Sequence, residues 1–411
     1  MEGKINIQFD RLIYQLLCIY AFLIPLEKVL LVLFDVDTVL KPYRVLALLI
    51  LFTFGIKITF GVDKNTHLRK DMFLYFIFAY GLIVTLFRMV TGKFYLGYLY
   101  NDAFQLGLYL GVFVVIRHCD LSKEKIRTIW KFLAGGVMTN AAYALYQYYV
   151  LKNFRRSAGF MDNPNYMAIG VLVVLLFFIV YRTEVRGWLR KLAWWGGLLF
   201  LGNAFITAGS RTALAVLAVA AVIIFYFSTV RQKVFLVTTT AGILIFFALA
   251  SQQIDKQTPL TLLNRLDKVS SEDDRLPIWK GVVRAAQETN FIGVGIGQFK
   301  GRFSEFYQEE NNNFIRRIRE RGYFASPHSD YLALLVIYGI VGLLSYLIFM
   351  FLSGKSILTR LLESTKSKDK LYFQFSLLTL VTLILFGFTA ESFTSGLYWL
   401  LLATSTRIQV I

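Results

Sequence analysis

Apolar runs alternate with short polar interruptions through most of the chain, and the runs are the length that a membrane requires. A helix needs about 20 apolar residues to cross ~30 Å of hydrocarbon. Such runs fall at 11–34, 43–60, 71–90, 99–117, 126–151, 165–181, 189–207, 212–228, 233–250, 329–353, 371–390 and 393–407. Two divisions follow from length alone. Residues 192–228 and 371–407 are each 37 residues long, and a helix of that size would reach ~55 Å at 1.5 Å per residue. The breaks are expected at Thr207-Ala208-Gly209-Ser210-Arg211 and at Glu391-Ser392-Phe393-Thr394-Ser395-Gly396. The pattern predicts an all-α polytopic membrane protein with about twelve transmembrane helices: nine in 1–250, a large loop at 251–328, and three in 329–411.

That loop is the one long polar interval. Glu272-Asp273-Asp274 precede Arg275-Leu276-Pro277, the order of acidic residues and proline found at a helix start. Leu276, Trp279, Val283 and Ala286 then recur at helical spacing, so 276–290 is predicted to lie flat with those residues on its apolar face and Arg275 at its beginning. A Gly293-x-Gly295-x-Gly297 turn ends it. A second amphipathic stretch follows, with Phe299, Phe303 and Phe306 on one side and Arg316, Arg317, Arg319 and Arg321 near its end. The chain returns to the membrane at Ser326-Pro327-His328, where Ser326 is the expected N-cap and His328 falls in the first helical turn.

Composition agrees with the pattern: 56% of residues are hydrophobic, 17% are charged, and the mean hydropathy is +0.57. The net charge of +18 reads as topology. With the amino terminus cytoplasmic, the inside segments hold 22 Lys and Arg and the short outside loops 8, as the positive-inside rule requires. The long loop, exempt from that rule by its length, is then extracytoplasmic. Nucleic-acid binding is not implied. The first run carries Pro25, Glu27 and Lys28 and no small-residue cleavage site, so it is expected to stay as the first span. Cys18 and Cys119 are far apart in this topology, and His67 and His118 lie across the membrane from His328. No disulfide, metal site or cofactor is expected.

Few polar residues are placed for chemistry. Asn140 and Gln147 share a helix face, where interhelical hydrogen bonding is the expected role. The outside loop containing Arg155, Arg156 and Asp162-Asn163-Pro164-Asn165 reads either as a turn beside a solvated basic pair or as an anion-binding segment whose Asn163 and Asn165 offer hydrogen bonds. Arg211 stands at the hydrocarbon edge, either snorkelling to a lipid phosphate or binding one in a substrate. Gly209-Ser210 just before it favours the second role, since small residues admit a ligand to the backbone amides. His328 at a helix start would be held neutral by the positive end of the dipole, ready to accept a proton, with Asp330 and Tyr331 orienting it or contacting substrate. Glu391 is either a solvated helix end or part of the same site.

Three segments together carry a resemblance. Gly209-Ser210-Arg211-Thr212, Arg275-Leu276-Pro277-Ile278-Trp279 leading to Gly293-x-Gly295-x-Gly297, and Pro327-His328-Ser329-Asp330-Tyr331-Leu332 leading to Gly339-x-x-Gly342 resemble the O-antigen ligase and O-antigen polymerase superfamily. With Asp162-Asn163-Pro164-Asn165 and the helix plan, the resemblance covers residues 150–345. One departure is Ile337, where the superfamily often has an acidic residue two before the glycine. The resemblance implies a GT-C-like, metal-independent and cofactor-free membrane glycosyltransferase on the periplasmic side of a bacterial inner membrane. It would move a glycan from undecaprenyl diphosphate to an acceptor hydroxyl, on lipid A core or a similar glycolipid, with inversion. Arg211 and Arg275 would neutralise the diphosphate, with Arg155 or Arg156 in support, and His328 would act on the acceptor hydroxyl. Asn163, Asn165, Ser210, Asp330, Tyr331 and Glu391 would contact substrate. A polymerase extending lipid-linked repeats is the alternative. A transporter fits less well, for lack of paired interrupted helices, and a protein-glycosylating relative would be expected to carry a larger domain beyond Ile411.

Overall fold

Helices meet the apolar runs almost everywhere the computed structural model describes them, which is over residues 2–35, 41–60, 68–91, 96–152, 156–228, 275–299 and 327–407, together with Val230 and Lys233. Among these residues every regular element is helical: α1 (Glu2–Leu23), α2 (Val29–Phe34), α3 (Pro42–Phe60), α4 (Leu68–Thr91), α5 (Leu96–His118), α6 (Lys123–Leu145), α7 (Pro164–Tyr181), α8 (Trp188–Ala208), α9 (Arg211–Phe227), α10 (Arg275–Glu288), α11 (Asp330–Glu363), α12 (Ser367–Gly387) and α13 (Gly396–Thr406). The ninth run, 233–250, lies outside the described residues apart from Lys233. Six described helical segments are long and apolar enough to cross a membrane: Gln8–Leu26, Pro42–Thr59, Asp71–Thr91, Pro164–Glu184, Asp330–Glu363 and Ser367–Gly387. The chain is accordingly an integral membrane protein.

Both length-based divisions occur at the expected places. α8 ends on Gly209 in the left-handed conformation (φ 60°), which a Cβ would disfavour. Ser210 then caps α9, its Oγ accepting the Ala213 N–H at 3.3 Å. The second long run breaks between Gly387 and Gly396, around a 3₁₀ turn at Ser392–Thr394. The first run differs from expectation. A 3₁₀ turn at Ile24–Leu26 divides it into α1 and α2 and leaves Lys28 outside both, because Pro25 has no N–H to continue the helix.

The helices form two compact units, 1–24, 40–132 and 270–411 in the first and 25–39 and 133–269 in the second. In the first, α4 packs on α11, α11 on α12, α12 on α13, α13 on α5, and α5 on α3. Aromatic rings fill this core: Phe393 meets Trp399 edge-on at 4.8 Å, and Trp130 stacks on Tyr372 at 5.2 Å while donating to Thr404 Oγ1 at 2.9 Å. Charged side chains at the ends of α5 and α13 are bonded to protein partners. Arg117 grips Asp71 through two bonds of 2.8 and 2.9 Å and donates to Thr406 O at 2.6 Å, while Arg407 donates to Ile116 O and Cys119 O. Each arginine thus serves the orphan carbonyls at the other's helix end, where a cation also meets the negative end of the dipole. In the second unit α7 packs against α8 and α9. It is apolar on all sides and buried from Met167 to Phe177, as expected of a helix with no polar face.

α11 is two helices joined at Gly339, whose φ of 65° and ψ of −170° interrupt the ladder. The carbonyls freed by the break are used. Val336 O accepts the Val294 N–H at 2.8 Å and Ile337 O the Gly295 N–H at 3.1 Å, while the Ile340 N–H donates to Phe291 O at 2.9 Å. Irregular backbone at membrane depth is tolerated only with such protein partners. A Cβ on Gly339 would lie 2.2 Å from Phe291 O, and one on Gly293 would lie 2.6 Å from Ile337 O. The glycine turn after α10 and the glycine within α11 are therefore two halves of one joint, closed from α4 by Arg88, which donates to Gly293 O at 3.2 and 3.3 Å, and by Thr85, whose Oγ1 accepts the Ile296 N–H at 2.9 Å.

Candidate active site

α10 is amphipathic as expected, but its buried face is turned from the predicted one. Ile278, Val282, Ala285 and Ala286 are buried, whereas Val283 is 41% exposed. The reason is the partner. Ile278, Val282 and Ala285 pack with Val294, Phe299 and Val336 in one cluster, against which Ile337 also rests. Ile337 thus fills an apolar contact where a carboxylate would be stranded.

The first unit gathers the His328 group. Ser329, not Ser326, is the N-cap of α11, its Oγ accepting the Leu332 N–H at 3.4 Å, and the helix begins at Asp330. His328 therefore lies before the helix instead of in its first turn, half-buried and in the left-handed region at φ 51°. For a residue with a Cβ that conformation costs about 1–3 kcal/mol and persists only when its surroundings impose it. They do so on both sides. Trp279 Nε1 donates to Pro327 O at 3.1 Å, and Ser329 Oγ donates to Gly387 O at 3.0 Å. The first of these bonds matters for Arg275, which opens α10 one turn before Trp279; the start of α10 is thereby tied to the residue preceding His328.

Asp330 and Tyr331 bond α12 and the chain that follows it. Asp330, fully buried, accepts from Ser392 Oγ at 2.5 Å and from the Phe393 N–H at 2.7 Å. Tyr331 donates to Ile384 O at 2.8 Å. Glu391, immediately before Ser392, is buried at 7% exposure, so it is not a solvated helix end.

The second unit gathers the Arg211 group. Arg211 is the first residue of α9, half-buried, behind the buried cap Ser210. That placement puts a guanidinium at a helix N-terminus, where orphan amides and the dipole both favour an anion. The 156–165 loop is pinned beside the neighbouring helix ends. Arg156 donates to Ala208 O at 3.0 Å, the residue before Gly209, and to Asn165 Oδ1 at 2.6 Å. Asn163 caps α7, its Oδ1 accepting the Asn165 N–H at 2.8 Å. Lys28, within the first apolar run but outside its helices, pairs with Asp162 at 2.6 Å and donates its N–H to Phe160 O at 2.8 Å. Asn140 bonds this loop instead of another helix: its Oδ1 accepts the Phe160 N–H at 2.6 Å. Arg156, Asn163 and Asn165 thus shape the loop as well as offering polar atoms. Arg155 lies outside the described residues, as do Ser326, Phe303, Phe306 and the arginines at 316–321.

Both cysteines are free and buried. Among the described residues no group of three or more His, Cys, Asp and Glu is placed to hold a metal ion.

The family model for O-antigen ligase matches residues 196–347. That interval runs from within α8 to within α11 and includes Ser210, Arg211, Arg275, both halves of the glycine joint and His328 to Tyr331. No curated protein matches the chain.

Proposed function

For this chain, whose residues 196–347 match the family model for O-antigen ligase, we propose the activity of a membrane glycosyltransferase that moves a glycan from undecaprenyl diphosphate to an acceptor hydroxyl on a glycolipid. The observation that carries the reading is the pinning of His328 before α11 by bonds at Pro327 and Ser329, with the start of α10 tied to it. In the proposed reaction His328 takes the proton of the acceptor hydroxyl, the oxygen attacks the anomeric carbon, and the bond from that carbon to the diphosphate oxygen breaks with inversion. Diphosphate is already a good leaving group, so the enzyme's main task is to neutralise the charge it gains. Arginine forks do this well, and Arg211 and Arg275 are assigned that role. Arg155, Arg156, Asn163, Asn165, Ser210, Tyr331 and Glu391 are proposed as substrate contacts. Deleting the gene and resolving surface glycolipid on a gel tests the reading. Loss of the ladder on core supports a ligase, a single-repeat band moves the assignment to a polymerase, and an unchanged profile sinks both.

The twelve-span plan and the outward facing of 251–328 belong to the same proposal and rest on loop charges. Cysteine in place of Ser304 is expected to react with an impermeant thiol reagent on intact cells. Labelling only after permeabilisation would invert the topology and remove the site with it.

Charge neutralisation by arginine alone makes a further prediction. Purified enzyme in EDTA is expected to keep most of its transfer activity, since no step in the proposed reaction requires a Lewis acid. Complete loss, restored by magnesium or manganese, would replace the arginine account with a metal-assisted one.

A further inference from the structure

We propose that Asp330 is a positioning residue, whose carboxylate latches the turn carrying Glu391 to the start of α11 and so holds His328 and Glu391 in fixed register; the role in catalysis rests on the transfer reading above. Asp330 and Ser392 are 62 residues apart in sequence, yet both carboxylate oxygens are engaged there, Oδ2 by Ser392 Oγ at 2.5 Å and Oδ1 by the Phe393 N–H at 2.7 Å. The side chain is fully buried. A carboxyl group so placed is costly unless it is hydrogen-bonded, and both of its oxygens have protein partners.

The flanking residues make the same connection. Ser329 reaches Gly387 O at 3.0 Å and Tyr331 reaches Ile384 O at 2.8 Å, so three consecutive residues after His328 are bound to the end of α12 or the turn beyond it. α12 ends in glycine at that point. A Cβ on Gly387 would come within 3.1 Å of Asp330 Oδ2 and 3.3 Å of the Tyr331 ring. The local sequence thus provides the space, the two donors and the acceptor. What it holds is a pair of titratable groups, His328 on one side of Asp330 and Glu391 on the other side of Ser392.

The chemistry of the latch separates it from a direct role on substrate. Asparagine can keep both bonds: its carbonyl accepts the Phe393 N–H, and its NH₂ donates to Ser392 Oγ, whose hydroxyl turns. Alanine loses both and orphans a buried N–H. The test uses the full-length purified chain, with hydrogen exchange read on the 388–395 peptide and transfer kinetics read in parallel. Asp330→Ala is expected to raise exchange at Phe393 about tenfold or more while α13 stays protected. Its kcat is expected to fall about thirtyfold, with the carrier KM within about threefold of wild type. Asp330→Asn is expected to restore most of both. If Asp330→Ala does not fold, Ser392→Ala, which removes one bond of the two, decides the question by a smaller change in the same directions.

Asparagine as damaging as alanine would overturn the latch in favour of a carboxylate acting on substrate. Unchanged Phe393 exchange in Asp330→Ala, or raised exchange with unchanged kcat, would overturn it as well. A wild-type chain that shows the protected Phe393 amide but no glycan transfer would instead overturn the reading of function, so the two failures are distinguishable.

Discussion

Alanine at Arg211 or at Arg275 is expected to lower glycan transfer by a factor on the order of 10² or more, the loss associated with one charge-assisted contact that strengthens in the transition state. Arg211 has the better-defined setting. It is half-buried, it opens α9, and its backbone lies between Ser210, committed to capping, and the first amides of a 17-residue helix. An anion bound there meets the guanidinium and the helix dipole together. Arg275 occupies the corresponding first position of α10. Arg156 is a weaker candidate for the same work, because its guanidinium already bonds Ala208 O and Asn165. Lysine at 211 or 275 is expected to recover only part of the activity, since a point charge does not reproduce a bidentate fork. Single-turnover transfer from a lipid-linked glycan, measured on folded variants, checks this. Lysine variants equal to wild type would reduce both residues to nonspecific charge near lipid phosphate.

The elements that sequence made legible are those governed by local rules. Gly209-Ser210 announced a helix stop and a cap, and the structure uses the two residues in that order. The 37-residue runs had to break, and they break where small and polar residues interrupt them. What escaped was set by partners distant in the chain. The face of α10 could be drawn through Trp279 and Val283 or through Ile278 and Val282. Only Val336 and Phe299 decide between them. The bonds of Asp330 were not legible, because Ser392 and Phe393, its partners, lie 62 and 63 residues away. The glycine motifs at 293–297 and 339 were visible separately; that one supplies the amides for carbonyls freed by the other is a fact of packing. His328 was misplaced by one cap: Ser326-Pro327 and Ser329 are both plausible helix starts, and the hydroxyl that bonds Leu332 settles it.

His328 stands before the helix and not in its first turn. A histidine inside the first turn would be positioned by α11 itself, and its replacement by alanine would leave a helix start unchanged. At φ 51°, before the cap, it is held by Trp279 through Pro327 and by Ser329 through Gly387. None of those bonds uses its ring, so all of them remain available in His328→Ala. Removal of a general base is expected to slow transfer by ~10²- to 10⁴-fold. Carrier binding is expected to stay nearly intact, because the proposed partner of the ring is the acceptor hydroxyl and not the diphosphate. Equilibrium binding of the lipid-linked donor and single-turnover transfer, measured on the same preparation, separate the two effects. A folded His328→Ala variant transferring at near wild-type rate would end the base assignment. Loss of donor binding in that variant, with donor binding retained in Arg211→Ala and Arg275→Ala, would exchange the roles: the imidazole would then be the diphosphate ligand, and the arginines would serve the acceptor.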